Sequence, residues 1–525
     1  TDSADAIRGL IECHLKLGQP ESAKRYIQRA VEAFPNSPYF REQQLSYEEQ
    51  HGDAEKALAE REQILAGSKD VMRAWLGLAA SYARVAELHS SRGQPVESAR
   101  YLARARETLD QAIQKWPDEK ALYGYLAEAL MRAKQPEEGL AVLQKLAGRE
   151  AWKSKPDVPL MLGSYLARME NKTADAEKAF LEAVSRAGDN PAVRQQLAQF
   201  YRNTKQLDKA EVEYLRLIKD SPEPRHFSAL AHVKLQNDKA DEALTTAEEG
   251  LARFPGDDGL REVKLLAMVN AKKLEQANST IEQMLSVNPK DATALYYRGM
   301  IRYENSEDWE GAVKDLEAAR EARPGNIEIR KVLAEVLKTR RDFARAAAEL
   351  DAALKLDPLR KDVRLQLVEC YRQMQQWLQA ERVINEAKSN SQLMDDPVWW
   401  QVQARLMRQR KDTAGALDQL KKAVDMDPTN AELLYDYLEY LHLAAQHRQV
   451  VYVCNQLMKN ERLKNEWWLH RARARALSVL PEGNKEEAMQ EFETAVELAS
   501  KRGFDPSTSV IPAIVDAMGL DNTIG

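Results

Sequence analysis

Hydrophobic and polar positions along the chain alternate with a helical rhythm that is interrupted every dozen or so residues. The stretch from Arg194 to Pro222 shows the grammar. Leu197, Ala198 and Tyr201 fall at spacings of one, three and four, which places them on one face of an amphipathic helix. Asn203, Thr204, Lys205 and Gln206 break the pattern and predict a turn. A second helix follows with Ala210, Tyr214 and Leu217 facing inward, and Ser221-Pro222 ends it. Proline lacks the amide hydrogen a helix needs and biases the preceding residue away from helical dihedrals, so it resets the chain. Small residues at Ala198 and Ala210 let two antiparallel helices approach closely.

The unit recurs. An alanine returns at Ala176, Ala210, Ala243, Ala277, Ala312, Ala346, Ala380 and Ala416, with a proline twelve residues behind most of them, at Pro222, Pro255, Pro289, Pro324, Pro358 and Pro428. A fixed period near 34 residues means stacked repeats, in which each unit buries its apolar face on its neighbours. These units resemble tetratricopeptide repeats, whose helix–turn–helix carries small residues at positions 8, 20 and 27 and proline at 32. Ala334, Ala346, Ala353 and Pro358 fill those positions in one unit, and Ala404, Ala416, Ala423 and Pro428 in another. The resemblance implies an all-α fold, a right-handed superhelical solenoid of about fourteen helix–turn–helix units.

Register is kept best over 157–428, which reads as eight consecutive units. Residues 1–156 read as irregular N-terminal units. Pro117 lies beyond the usual distance from Trp75, Leu78, Ala79 and Tyr82, implying lengthened helices around Ser91–Pro95. Residues 429–503 read as divergent units lacking the closing proline. In 504–525, Val510, Ile511, Ile514, Val515, Met518 and Leu520 make a short apolar face, expected to be a capping helix over the last repeat.

Bulk properties change this picture little. Apolar residues at 44% and charged residues at 30% suit amphipathic helices. With 76 basic and 82 acidic residues interspersed, the net charge is only −6, so no basic stripe favours nucleic acid as a partner. No stretch approaches the roughly 18 uninterrupted apolar residues of a membrane span. Cys13, Cys370 and Cys454 lie far apart in unrelated repeats, a spacing that fits small buried residues rather than a zinc site or disulfide framework. The chain opens at Thr1 without methionine and is helical in pattern by Asp5, so it reads as a trimmed or processed form. The compartment stays open between cytoplasm and bacterial envelope.

Candidate chemistry is sparse. The sequence has no glycine-rich phosphate loop, nucleophile elbow or H-E-x-x-H motif. His442 and His447 are five apart, which does not put them on one helical face. The expectation is no catalytic residue, no cofactor and no metal. Two N-x-S/T triplets, at Asn171 and Asn278, carry no weight without a secretory context.

The resemblance also implies where a partner would lie, because in such repeats the first helix of each unit lines the groove. Carried over, this gives Thr293, Tyr296, Met300 and Tyr303; Glu328, Lys331, Glu335 and Lys338; Leu365, Glu369 and Arg372; Gln401, Arg405 and Arg408; and Tyr435, Glu439 and His442. Tyrosine and arginine are enriched at binding hot spots. Arg372, Arg405 and Arg408 with Tyr296 and Tyr303 are therefore the expected patch for an extended, partly acidic peptide. The Lys/Asn set with which some family members clamp a terminal carboxylate is not matched: where Lys331 fits, the expected Asn is Glu335. Trp399-Trp400 and Trp467-Trp468 each open a first helix, so one member of each pair fills the core while the other tilts outward. Trp399 and Trp467 are the expected outward members, in contact with another chain.

The function expected from these features is a non-enzymatic scaffold binding a partner protein or extended peptide. The alternatives are a structural subunit of a multiprotein assembly, such as a bacterial envelope or export complex, and the regulatory arm of an enzyme whose catalytic domain lies outside this chain.

Overall fold

In the computed structural model, the described residues are 3–510 apart from 17–19, 36, 92–93, 189, 306–307, 391–392, 482–484 and 506–509. Among them run 28 α-helices, α1 to α28 in chain order, and no strand. They associate as fourteen consecutive pairs, an all-α helical-repeat solenoid. Residues 157–426 hold eight of those pairs. The chain divides into two compact units, Thr1–Pro358 with helices α1–α20 and Leu359–Gly525 with helices α21–α28.

The alanine beat is the packing code. All eight repeat alanines, from Ala176 to Ala416, are fully buried. At these places a methyl is the largest group that lets the two helices of a pair meet. Gly299 shows the same constraint at its limit. A Cβ there would sit 2.8 Å from Leu316 Cγ and 3.2 Å from the Ala312 carbonyl oxygen, so α17 (Ala292–Asn305) and α18 (Trp309–Ala322) touch nearly backbone to backbone. The lengthened helices expected near Ser91–Pro95 are present as α5 (Met72–Ser91) and α6 (Pro95–Lys115). Cys370 and Cys454 are buried, and burial pushes the Cys454 thiol up to about 12. Cys13 differs from the expectation: it faces solvent from α1 (Ala4–Lys16).

The turn inside a pair repeats as strictly as the alanine. α11 (Pro191–Asn203) closes with Gln206 N–H donating to the Tyr201 carbonyl (2.8 Å) and Lys205 N–H to the Arg202 carbonyl (3.1 Å), with Lys205 at φ 58°. This is a Schellman closure, which satisfies the last carbonyls of the helix and needs one left-handed residue. Lys134, Lys272, Arg341, Gln375, Lys411 and Ala445 take the same conformation at the same place, and none is glycine. A left-handed non-glycine residue costs about 1–2 kcal/mol, and glycine's extra unfolded-state freedom returns roughly half of that gain. Ala445→Gly is therefore expected to stabilise the chain by about 0.5–1 kcal/mol, read as a higher urea midpoint, while Ala445→Val lowers it.

The expected capping helix falls almost wholly outside the described residues. Phe504 and Val510 are described. Val510 is buried with Ala474, Phe492, Ala495 and Ala499 against the last helix pair, and the Phe504 ring lies 5.8 Å from that of Trp467.

Candidate functional site

Three first helices of the second unit, α21 (Lys361–Gln373), α23 (Val398–Gln409) and α25 (Ala431–Leu443), stand side by side. Two of them are held at their starts by a side chain. Asn430 accepts hydrogen bonds from the amides of Glu432 and Leu433 at the start of α25, and Asp396 accepts from the Val398 amide (3.0 Å) before α23. Between these helices lies a cavity of about 800 Å³. Leu365, Val368, Val398, Val402 and Leu406 make its apolar floor, and Glu369, Arg372, Gln401, Arg405, Arg408, Glu432, Asp436 and Tyr440 its polar wall.

The structure thus brings six of the predicted groove residues, Leu365, Glu369, Arg372, Gln401, Arg405 and Arg408, into one place. Their charges are not equivalent. Arg372 is tied to Glu369 of its own helix, with Nε to Oε2 at 2.6 Å. Arg405 reaches across to α25, where it meets Glu432 (3.0 Å) and Asp436 (2.8 Å). Gln401 is buried rather than presented. Its amide donates to Asp436 (2.9 Å) and Glu432 (3.1 Å), because those two carboxylates need more donors than Arg405 alone supplies. Arg408 is exposed and, among the described residues, forms no ion pair with a carboxylate. Its guanidinium lies 5.1 Å from the centroid of the Tyr440 ring, a cation–π arrangement. Burial raises the Tyr440 phenol, so that hydroxyl stays protonated. Three guanidiniums accompany three carboxylates, so the pocket is close to neutral.

The remaining predicted residues fall elsewhere. Tyr435 belongs to α25 but turns toward α27 (Trp467–Val479), its ring 6.1 Å from that of Trp468. Arg471 lies over both Tyr435 (5.6 Å) and Trp467 (5.7 Å) and is ion-paired with Glu439. Tyr296, Tyr303, Lys331 and Lys338 belong to the first unit. Burial pushes the Tyr296 phenol up to about 12, and Tyr303 Oη shares a hydrogen bond with Thr339 Oγ1 (2.9 Å). Lys331 and Lys338 pair with acids of their own helix, Glu328 (3.0 Å) and Glu335 (2.7 Å).

One expectation is overturned. Trp399 does not tilt outward: it is fully buried, and its Nε1 donates to the Leu393 carbonyl (2.9 Å). The turn before α23 folds back to offer that carbonyl, so the first tryptophan is drawn in and Trp400 is the partly exposed member. Trp467 keeps a partly exposed face, and Trp468 is buried.

Glu432, Asp436 and Tyr440 were not singled out from sequence. Glu432 and Asp436 lie 27 and 31 residues after Arg405, one unit along and a helical turn apart, and that spacing is the signal that would have found them.

Two family models agree with this architecture. A family model described as Tetratricopeptide repeat matches residues 167–233 and 337–406, and a second so described matches 9–71, 98–156 and 266–327. Together the two models span well over half of the chain. Yeast Tom70 is similar in structure, with 14% identity, a TM-score of 0.39, and coverage of 88% of this chain and 98% of that one. A tetratricopeptide repeat protein from Parabacteroides merdae is similar at 17% identity and a TM-score of 0.31, covering 48% of this chain and 99% of its own. The structure of Naa15/Naa10 bound to HypK-THB contains a chain 13% identical, at a TM-score of 0.31, covering 99% of this chain and 94% of that chain. No curated protein matches by sequence.

Proposed function

The chain belongs to the tetratricopeptide-repeat family, and from that premise we propose that its second unit holds a segment of a partner protein in the pocket between α21, α23 and α25. Repeats of this family serve generally as non-catalytic protein-interaction scaffolds. No helix of the described residues is long and apolar enough to cross a membrane. The observation that carries the reading is the convergence of an apolar floor with one cation that has no acid among the described residues, Arg408, beside two arginines whose charges are internally balanced.

The proposed mechanism is preorganisation. Arg372 and Arg405 are already fixed by ion pairs, and Gln401 by two hydrogen bonds, so little side-chain entropy is lost when a ligand arrives. An aliphatic or aromatic side chain of the partner covers Val402 and Leu406, and a single carboxylate next to it reaches Arg408 and displaces little of the existing network. This narrows the expected extended, partly acidic peptide to a mostly apolar segment with one acid.

Arg408→Glu and Val402→Asp are each expected to lower recovery of the partner that co-purifies with the tagged chain, by at least about tenfold in affinity. Neither side chain is fully buried, so helix content by circular dichroism stays at the wild-type level. Undiminished recovery with both variants rules the pocket out.

A further inference from the structure

Several helix pairs hide an ion pair at one register. Arg194, Arg330 and Arg364 each stand sixteen residues before the alanine of their unit, Ala210, Ala346 and Ala380. Arg194 meets Glu213 (2.8 Å), three residues after its alanine, between α11 and α12 (Leu207–Asp220). Arg330 meets Glu349, again three residues after, between α19 (Ile327–Thr339) and α20 (Phe343–Leu356). Arg364 of α21 meets Glu386 of α22 (Trp377–Lys388) at 3.3 Å. In α17–α18 the acid at this register, Asp315, is served by Arg298 (2.7 Å) and Arg302 (2.8 Å). In all of these a partly or fully buried cation has its acid.

The pair of α23 and α24 (Thr413–Met426) departs from that rule. Sixteen residues before Ala416 stands Trp400, and three after it stands Gln419. A cation is present nonetheless, because Lys388 at the end of α22 reaches in. Its Nζ lies 3.3 Å from the Trp400 ring centroid and donates to the side-chain oxygens of Gln403 and Gln419, the latter at 3.3 Å. Every partner is neutral, and among the described residues no carboxylate lies within ion-pairing distance of Lys388. On α24 the charge of Lys422 acts on Lys388; Lys422 is paired with Asp418 at 2.7 Å, and Asp418 also accepts from the Gln419 amide (3.1 Å). From α23, Trp400 and Gln403 contact Lys388.

We infer that this junction is a contact site separate from the pocket, where Lys388 receives an aspartate or glutamate side chain of a partner protein and Trp400 covers its stem. A partly buried cation without its acid is costly, and an incoming carboxylate supplies what the other pairs carry internally. The cost is visible in the free chain: burial and the charge of Lys422 push the Lys388 amine down to about 7. Perturbed groups of this kind concentrate where ligands bind. Because the amine must take a proton to hold the carboxylate, binding weakens as the pH rises above 7, approaching about tenfold per unit until the raised value of the bound amine is reached. Trp400 and Lys388 do not line the cavity, so failure of either proposal leaves the other standing.

Competitive acetylation of the full chain with trace acetic anhydride, read by mass spectrometry from pH 5 to 11, titrates each lysine separately. The probes are acetate and the blocked peptide acetyl-Gly-Glu-Gly-amide, with chloride at equal ionic strength as reference. Lys388 is expected to titrate near 7 in chloride and to move up by a unit or more with either carboxylate, and Gln419→Glu reproduces that shift without any probe. Lys388→Arg, which keeps the charge, is expected to flatten the pH dependence of partner recovery between pH 6.5 and 8.5. An ordinary lysine titration in the free chain overturns the inference, as does equal protection by chloride. Protection by acetate alone assigns the site to a free carboxylate and overturns the partner side chain.

Discussion

Replacing Trp399 by alanine is expected to cost the second unit about 3–5 kcal/mol, the range for emptying a fully buried aromatic site. Two contributions add. The indole is completely removed from solvent, so its loss leaves a cavity that the α23 backbone cannot close without moving. Its Nε1 also donates to the Leu393 carbonyl, which without the indole keeps only the longer bond from the Asp396 amide (3.2 Å). Trp399→Phe separates the two: it keeps most of the ring volume and loses the hydrogen bond, for a cost of about 1–2 kcal/mol. The adjacent Trp400→Ala should cost less than Trp399→Phe, since Trp400 is partly exposed and serves chiefly as a face for Lys388. A repeat array opens locally, so hydrogen exchange of α23 amides is a better measure than one global midpoint. Because Val398, Gln401 and Val402 of the same helix line the pocket, Trp399→Ala should also abolish partner recovery without touching the ligand. Equal exchange in the two alanine variants would mean that the wrong member of the pair is in the core.

The contrast between these two tryptophans marks where sequence stops being readable. The repeat alanines were legible because a position that tolerates only a methyl leaves the same letter in every copy, and Ala176 through Ala416 are all buried as that periodicity requires. The turn at Asn203–Gln206 was legible for a similar reason, since α11 ends at Asn203 and α12 begins at Leu207. Trp399 and Trp400 differ by 100° of helix rotation, and the hydrogen-bond acceptor that decides between them, the Leu393 carbonyl, comes from an irregular turn with no period of its own. The arginines of the pocket were legible as exposed positions on a first helix. Their partners were not, because Arg405 pairs with Glu432 and Asp436 across a unit boundary, where two imperfect repeats must be in register before the spacing means anything. The spacing of His442 and His447 argued only that they do not share one helical face; they lie on different helices, and the turn between α25 and α26 (His447–Leu457) brings their rings to 5.6 Å. That proximity follows from the fold and not from either helix alone.

The histidine turn leads to the second large effect, an acid-labile α25. His442 is buried, its Nε2 lies 3.0 Å from the Ala472 carbonyl, and that oxygen can only accept, so the proton of the neutral ring sits on Nε2. Protonation must then occur at Nδ1, which is buried and has no hydrogen-bond partner. Burial is the main reason the imidazole is pushed down to about 4. Arg475 and His447 add to the shift, while the Ala472 bond and Glu439 oppose it. The folded value lies below the ordinary 6.5, so the neutral ring is the form that folding favours. Its contribution is complete above pH 6.5 and is lost progressively as the pH falls to about 4. A displacement of that size corresponds to about 3 kcal/mol. His442→Gln keeps a donor for Ala472 and cannot take up a proton. Between pH 7.5 and 4 the local opening free energy of α25, from hydrogen exchange corrected for intrinsic rates, should fall by about 3 kcal/mol more in the wild-type chain than in His442→Gln. Carboxylates that titrate over the same range are common to both chains and cancel in the difference. Parallel pH profiles for the two would mean that the ring is solvated and protonates freely, and the burial assigned to it would be wrong.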